Sequence, residues 1–296
     1  AGLGDYFRID EFNRNHDKYR KTEDLLSLIS KELLLYEPGT SNEYSNSSYV
    51  VLGGIIERIT GKSYLENLQE RILNRLGMNS SGFIYKDSKS ENIAKGFIIN
   101  PNGQKVSTYR RNPSVPTPAG GMYSTAEDLL KLDRSLMNDN VLLNDKYKVM
   151  LLNRFNADIN KTFQELLAEP DFGMGVAGGS PGWNAVYDQN VTGKYTVIIL
   201  SNFDQGAEKL IKNVNGILKG KDISPLTPSA GKIIYRIVKE KGASYFVNNY
   251  REVLKGIEIE DDGMLNMLGY NFLQEGKTDE AISVFTVNSK LFPEIA

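Results

Sequence analysis

Two prolines set among polar residues, in Gly220-Lys221-Asp222-Ile223-Ser224-Pro225-Leu226-Thr227-Pro228, divide this chain into parts that must fold differently. Beyond them the apolar residues recur only at helical spacing. Before them, helical stretches alternate with short β-branched runs. The division predicts a mixed domain over residues 1–219, a linker over 220–229 and a small all-α module over 230–296. A chain of 296 residues is long enough for one large domain and a smaller one.

Charge and residue usage exclude several function classes. Thirty-five basic against thirty-seven acidic residues leave a net charge of -2, with no Lys/Arg block, so no nucleic-acid footprint is expected. With no cysteine, the chain has no disulfide, thiolate nucleophile or Cys-ligated metal. The single histidine, His16, lies in the polar run Asn13-Arg14-Asn15-His16-Asp17-Lys18. One solvated histidine cannot make a two-histidine metal site and is a poor basis for a Ser-His-Asp triad. No metal or other cofactor is expected. No apolar run approaches the roughly 20 residues of a membrane helix.

Residues 5–36 read as mostly helical, with Thr22 as a cap and Leu25, Leu28, Ile29 and Leu33 on one face. An apolar helix follows over 47–61, carrying Val50, Val51, Leu52, Ile55, Ile56 and Ile59 and closed by Gly61. A further helix covers 63–76. Short strand-like runs fill 82–116, including Gly96-Phe97-Ile98-Ile99 and the turn Pro101-Asn102-Gly103. Ser124 or Thr125 caps the next helix, with Glu127 and Asp128 in its first turn. Residues 172–202 read as antiparallel strands turning at Pro181-Gly182, and Tyr195 to Leu200 is apolar enough for a central strand. A helix over 207–218 follows. In the last part, Leu265, Leu268-Gly269-Tyr270, Gly276, Ala281-Ile282, Phe285 and Pro293 resemble one tetratricopeptide unit. A plain helical hairpin fits the same spacing. One such unit cannot bury its own faces, so it is expected to dock on the main domain, pair with another chain or continue into further repeats.

The sharpest chemical signal is Tyr44-Ser45-Asn46, the one Tyr-x-Asn among sixteen tyrosines. On its own it reads more readily as a buried aromatic beside a helix than as a site residue. Its surroundings, Glu37-Pro38-Gly39-Thr40-Ser41-Asn42-Glu43 before it and Leu52-Gly53-Gly54-Ile55-Ile56-Glu57 after it, resemble the Tyr-x-Asn region of class C β-lactamase-like serine hydrolases. That family also includes D,D-peptidases and esterases. Pro118-Ala119-Gly120-Gly121-Met122-Tyr123-Ser124-Thr125 resembles the family's glycine turn leading into a capped helix. Gly178-Gly179-Ser180-Pro181-Gly182-Trp183-Asn184 resembles the strand and turn of its third motif, and Leu200-Ser201-Asn202-Phe203-Asp204 the strand end after it. The resemblance covers roughly residues 2–218.

The resemblance implies an α/β (α+β) fold, an antiparallel sheet flanked by helices with a helical subdomain. It implies acyl transfer through a covalent acyl-serine. Tyr44 would be the base or proton relay, and Asn46 would hold the substrate's acyl-side amide and a lysine. Val176, Ala177, Gly178 and Gly179 would line the substrate strand, the Gly179 backbone N–H forming half of an oxyanion hole. It also implies a small-molecule or peptide substrate and a periplasmic or other extracytoplasmic location. The C-terminal helices are a candidate surface for a homodimer or protein partner.

Two departures bear on activity. The family's Ser-x-x-Lys should precede Tyr44, with Gly2-Leu3 resembling the tail of a later His-Thr-Ser-Gly-Leu segment. The one Ser-x-x-Lys in the chain, Ser229-Ala230-Gly231-Lys232, reads instead as a helix cap in the linker. Where the third motif normally offers Lys or His, the aligned residue is Val176. The expectation is therefore a hydrolase domain without its nucleophile. Two alternatives remain: a pseudoenzyme that binds a peptide or cell-wall fragment, and a repeat-based protein scaffold.

Overall fold

In a computed structural model of the chain, described for residues 1–85, 92–99, 104–108, 116–153, 158–170, 172–190, 195–203, 205–223, 230–257, 259 and 262–294, helices dominate and the strands form three small antiparallel sheets. From the N-terminus come α1 (Asp10–Asn15), α2 (Thr22–Ile29), α3 (Asn46–Thr60), α4 (Tyr64–Leu68), a π-helical turn (Gln69–Leu73), α5 (Asn74–Leu76) and β1 (Gly82–Phe83). There follow β2 (Phe97–Ile99), β3 (Lys105–Ser107), β4 (Met122–Tyr123), α6 (Ala126–Asn138), α7 (Asp145–Asn153) and α8 (Phe163–Leu167). The hairpin β5 (Gly173–Ser180) and β6 (Trp183–Asn190) leads to β7 (Tyr195–Ser201) and α9 (Gly206–Leu218). The chain closes with α10 (Ala230–Lys241), α11 (Ala243–Val253), α12 (Gly263–Gln274) and α13 (Thr278–Leu291). The α/β character and the flanked antiparallel sheet agree with the sequence reading.

Two compact units result. The first comprises residues 1–96 and 108–215, the second residues 97–107 and 216–296. The β2–β3 hairpin is thus grouped with the C-terminal helices, which a single break at 220–229 does not anticipate. Its turn at Pro101-Asn102-Gly103, and most of the proline linker, lie outside the described residues.

Within the first unit, Tyr6, Phe12, Leu25, Leu28, Ile29 and Val50 form one core. The helix bearing Leu25 ends at Ile29, earlier than its apolar spacing suggests, and Leu33 is 90% exposed. Nor is Thr22 the cap. It is the first helical residue, and its Oγ1 donates to Glu57 Oε1 at 2.9 Å. Asp24 Oδ2 instead accepts the backbone N–H groups of Arg20 and Lys21, satisfying donors the helix leaves unpaired. Helix α3 begins and ends within a residue of expectation, with Gly61 in the left-handed conformation at φ 67°. Only its Val50 side is buried: Leu52, Ile55 and Ile59 are exposed.

The three-stranded sheet runs β5–β6–β7, so β7 is an edge of the sheet rather than its centre. Buried Asp133 of α6 fastens that sheet from behind. Its Oδ1 accepts from Tyr187 Oη at 2.5 Å, Gln189 Nε2 at 2.6 Å and Thr196 Oγ1 at 3.1 Å. Burial, with this carboxylate beside it, pushes the Tyr187 phenol well above its ordinary value.

In the second unit Leu265, Leu268, Phe272, Ala281, Val284 and Val287 are buried with Ile234, Val238 and Phe246 of α10 and α11. Gly269 lies against the Phe285 ring, where a Cβ would sit 2.4 Å from a ring carbon. The repeat-like hairpin therefore covers its inner face with the two helices before it. Tyr270 and Ile282 are exposed, not core.

Candidate active site

Tyr44 and Asn46 sit where the chain enters α3. Ser45 is the extended residue before the helix, and Asn46 is its first helical residue. Two tethers from the N-terminal segment fix this entry. Ser45 Oγ donates to Gly4 O at 3.0 Å, and Asp5 Oδ2 accepts from both the backbone N of Asn46 at 3.0 Å and its Nδ2 at 2.7 Å. Tyr44 Oη then donates to Asn46 Oδ1 at 3.1 Å. A carboxylate only accepts, so the Asn46 amide nitrogen must face Asp5 and its oxygen must face the phenol. Tyr44 is 69% exposed, with its ring centroid 5.7 Å from that of Tyr49. The buried-aromatic reading of this residue is therefore wrong.

Glycines bring the neighbouring segments close. A Cβ on Gly53 would lie 2.2 Å from Pro118 Cγ, and one on Gly54 would lie 2.6 Å from Leu26 Cδ1. The Leu52-Gly53-Gly54 and Pro118-Ala119-Gly120-Gly121 runs are thus two sides of one contact, with Ala119 against the Val50 core. Tyr6, buried in that core, is hydrogen-bonded through its side chain to Thr117; burial pushes its phenol up to about 12.

Below this turn Thr125 caps α6, its side chain accepting from Asp128 N at 3.2 Å. Burial works against the Asp128 charge. Hydrogen bonds from Lys131, Ser81 Oγ and Ser80 N prevail and hold the carboxyl below the usual range.

Val176, Ala177, Gly178 and Gly179 lie in the same compact unit, on the outer strand β5, and all four are exposed. Val176 pairs with Tyr187, Gly178 with Ala185 and Gly179 with Asn184. Buried Asn184 braces this strand: its Nδ2 lies 3.3 Å from Gly178 O and 3.1 Å from Glu208 Oε1, while its Oδ1 accepts from Glu208 N at 2.9 Å. Trp183 Nε1 donates to Ala94 O at 3.0 Å, and Gly96 lies flat on the indole. Of the Ser229–Lys232 run, Ser229 lies outside the described residues and Lys232 lies in α10.

Asp5, Glu57 and Asn184 were given no role from sequence. Glu57 Oε1 joins Thr22 of α2 to the backbone N–H of Tyr64 at the start of α4. Asp5 and Glu57 sit outside the Tyr-x-Asn triplet, and a lone carboxylate has no spacing that announces its partner. Glu57 and Asn184 both fall within runs that carry the family resemblance, and Asp5 does not. Among the described residues no group of three or more His, Cys, Asp or Glu is placed to hold a metal ion, and no helix is long and apolar enough to cross a membrane.

The sequence profile of the Beta-lactamase family matches residues 1–219, and the match includes the Tyr44–Asn46 entry, the glycine turn and the β5–β7 sheet. This chain belongs to that family. Among similar proteins, penicillin-binding protein 4* of Bacillus subtilis (strain 168) is 25% identical over 244 residues, which are 75% of this chain and 54% of that protein. The fold is shared with a penicillin-binding protein from Bacillus halodurans (TM-score 0.62, 24% identity, 73% of this chain and 69% of that one). It is also shared with D-amino acid amidase from Ochrobactrum anthropi SV3 (TM-score 0.55, 19% identity, 74% of this chain and 68% of that one). The chain spans about half the length of Bacillus subtilis curated relatives it matches.

Proposed function

We propose that residues 1–219 carry the tyrosine–asparagine side of a serine hydrolase site. The complete enzyme would act through a covalent acyl-serine on an ester, amide or β-lactam-like substrate. The observation that carries this reading is the Asp5–Asn46–Tyr44 hydrogen-bonded row at the start of α3, in a chain of the Beta-lactamase family. Acyl transfer needs a nucleophile, a base for its proton and donors for the developing oxyanion. A phenol titrates near 10 in water, so Tyr44 needs a neighbouring cation to take a proton at neutral pH. In the proposed step the serine hydroxyl attacks the carbonyl, its proton passes to the Tyr44 oxygen, and the same proton is delivered to the leaving group. Gly179, on an exposed outer strand, supplies a backbone N–H to the oxyanion. The names borne by the relatives support a D-amino-acid amide or peptide as one substrate class; an extracytoplasmic location is part of the same proposal and rests on the family resemblance.

Within this chain the one Ser-x-x-Lys places its lysine in α10, remote in sequence from Tyr44, so the chain by itself is proposed to lack a working nucleophile. Incubation with a fluorescent penicillin or a fluorophosphonate is expected to leave it unlabelled. A covalent mass shift on any serine would overturn that part of the reading. In a longer form bearing an upstream Ser-x-x-Lys, Tyr44→Phe should lower ester turnover by about 10²–10⁴-fold. An unchanged rate would reduce Tyr44 to a packing residue.

One observation favours a second reading. Val176, 45% exposed on the outer strand, presents an apolar side chain where the resemblance calls for a cation. A pseudoenzyme that binds a peptide or cell-wall fragment along β5 would tolerate that loss. Binding of such a fragment by the longer form with no turnover of any ester would decide for it.

A further inference from the structure

We propose that Asp5 is a positioning residue, which sets the Asn46 carboxamide so that its oxygen is presented to the Tyr44 phenol. The proposal rests on the reading of Tyr44 and Asn46 as site residues. It adds a residue outside the Tyr-x-Asn triplet, some forty positions away in sequence. An asparagine side chain can be turned end for end at small cost, exchanging donor for acceptor. Three observations remove that freedom. Asp5 Oδ2 takes both the Asn46 backbone N–H at 3.0 Å and the side-chain Nδ2 at 2.7 Å, which a turned amide could not offer. Asp5 is itself held, because its Oδ1 accepts from Phe7 N at 3.0 Å and caps the short turn Tyr6–Arg8. Ser45 is tied to Gly4 by its hydroxyl, so the two backbones cannot slide past each other. The Asn46 oxygen is left pointing at the phenol, 3.1 Å away. A phenol that donates to a fixed acceptor has a defined hydroxyl direction. With its own proton held on Asn46, the phenol oxygen turns its lone pairs in a fixed direction, where a serine hydroxyl could donate; a freely turning amide would not fix that direction.

The two jobs of Asp5 can be separated. Serine is also a good cap, so Asp5→Ser keeps an acceptor for Phe7 N while its shorter side chain withdraws from Asn46. In nuclear magnetic resonance spectra of this chain, Asp5→Ser is expected to shift the Asn46 side-chain amide and the Tyr44 ring signals and leave those of Val50 in place. Asn46→Ala should move the Tyr44 ring in the same way, and the double variant no further. In the unsubstituted chain, which needs no variant to fold, the Asn46 side-chain protons should exchange with water more slowly than those of exposed Asn42. Exchange as fast as Asn42, or an Asn46 amide and Tyr44 ring unmoved by Asp5→Ser, overturns the proposal. These readouts need no turnover. An unchanged rate in Tyr44→Phe would remove Tyr44 from the catalytic step while the Asn46 signals still answered to Asp5.

Discussion

Buried Asp133 joins α6 to two strands of the β5–β7 sheet through one side chain. Its carboxylate gathers donors from two strands, Tyr187 and Gln189 on β6 and Thr196 on β7, and so fixes α6 behind the sheet whose outer strand holds Val176 to Gly179. Removing it strands buried donors, which costs more than the bonds themselves are worth. Asp133→Ala is expected to destabilise the chain by about 3 kcal/mol in denaturant unfolding. A loss below about 0.5 kcal/mol would show that the three donors find other partners. Nothing in the sequence marks this residue. An aspartate in an amphipathic helix reads as solvent-facing, and its partners lie more than fifty positions away. Tyr44 and Asn46 were legible for the opposite reason: the surrounding run is local, and local patterns survive in a string. Asp5, joined to Asn46 across forty residues, was as silent as Asp133.

Helix starts and stops were the readiest elements to find, because caps are chemistry between near neighbours. Thr125 and Gly61 stand where their residue types demand, and Ser63 closes a reciprocal bond with Glu66. The failures share a cause. Apolar periodicity carried α2 on to Leu33, but the chain turns away after Ile29 and leaves Leu33 in solvent. The β-branched run in β7 looked central, yet strand order depends on which strands are present, which no single strand records. The start of α6 offers a pH test. Its Asp128 carboxyl is held below the ordinary value in the folded chain, so its contribution to stability is complete above the unfolded value near 3.9. That contribution is lost as pH falls through the lower, folded value. Asp128→Asn should therefore be less stable than the parent at neutral pH and should flatten the fall in stability below about pH 4. Equal acid slopes in urea titrations of the two proteins would show that the Lys131 and serine contacts do not hold the charge.

At the scale of the whole molecule, the fold class was legible in the string, but the quality of the surface was not. A helix apolar on nearly every side is normally enclosed, and Val50, Val51, Leu52, Ile55, Ile56 and Ile59 make α3 such a helix. The first unit encloses one side only. Leu33 at 90%, Ile59 at 78% and Leu35 at 61% exposure are further large apolar side chains in solvent. Exposure and burial separate two kinds of leucine that look alike in the string. Leu25, 1% exposed in the Tyr6–Val50 core, should cost about 2–5 kcal/mol when cut to alanine. Leu33→Glu and Ile59→Glu remove no buried contact and should each change unfolding free energy by less than about 0.5 kcal/mol. They should also lower the binding of a hydrophobic dye by the folded chain, because each replaces an exposed apolar side chain with a carboxylate. If either glutamate variant lost as much stability as Leu25→Ala, those side chains would be enclosed in solution, and the α3 face would have a cover supplied by another copy of the chain.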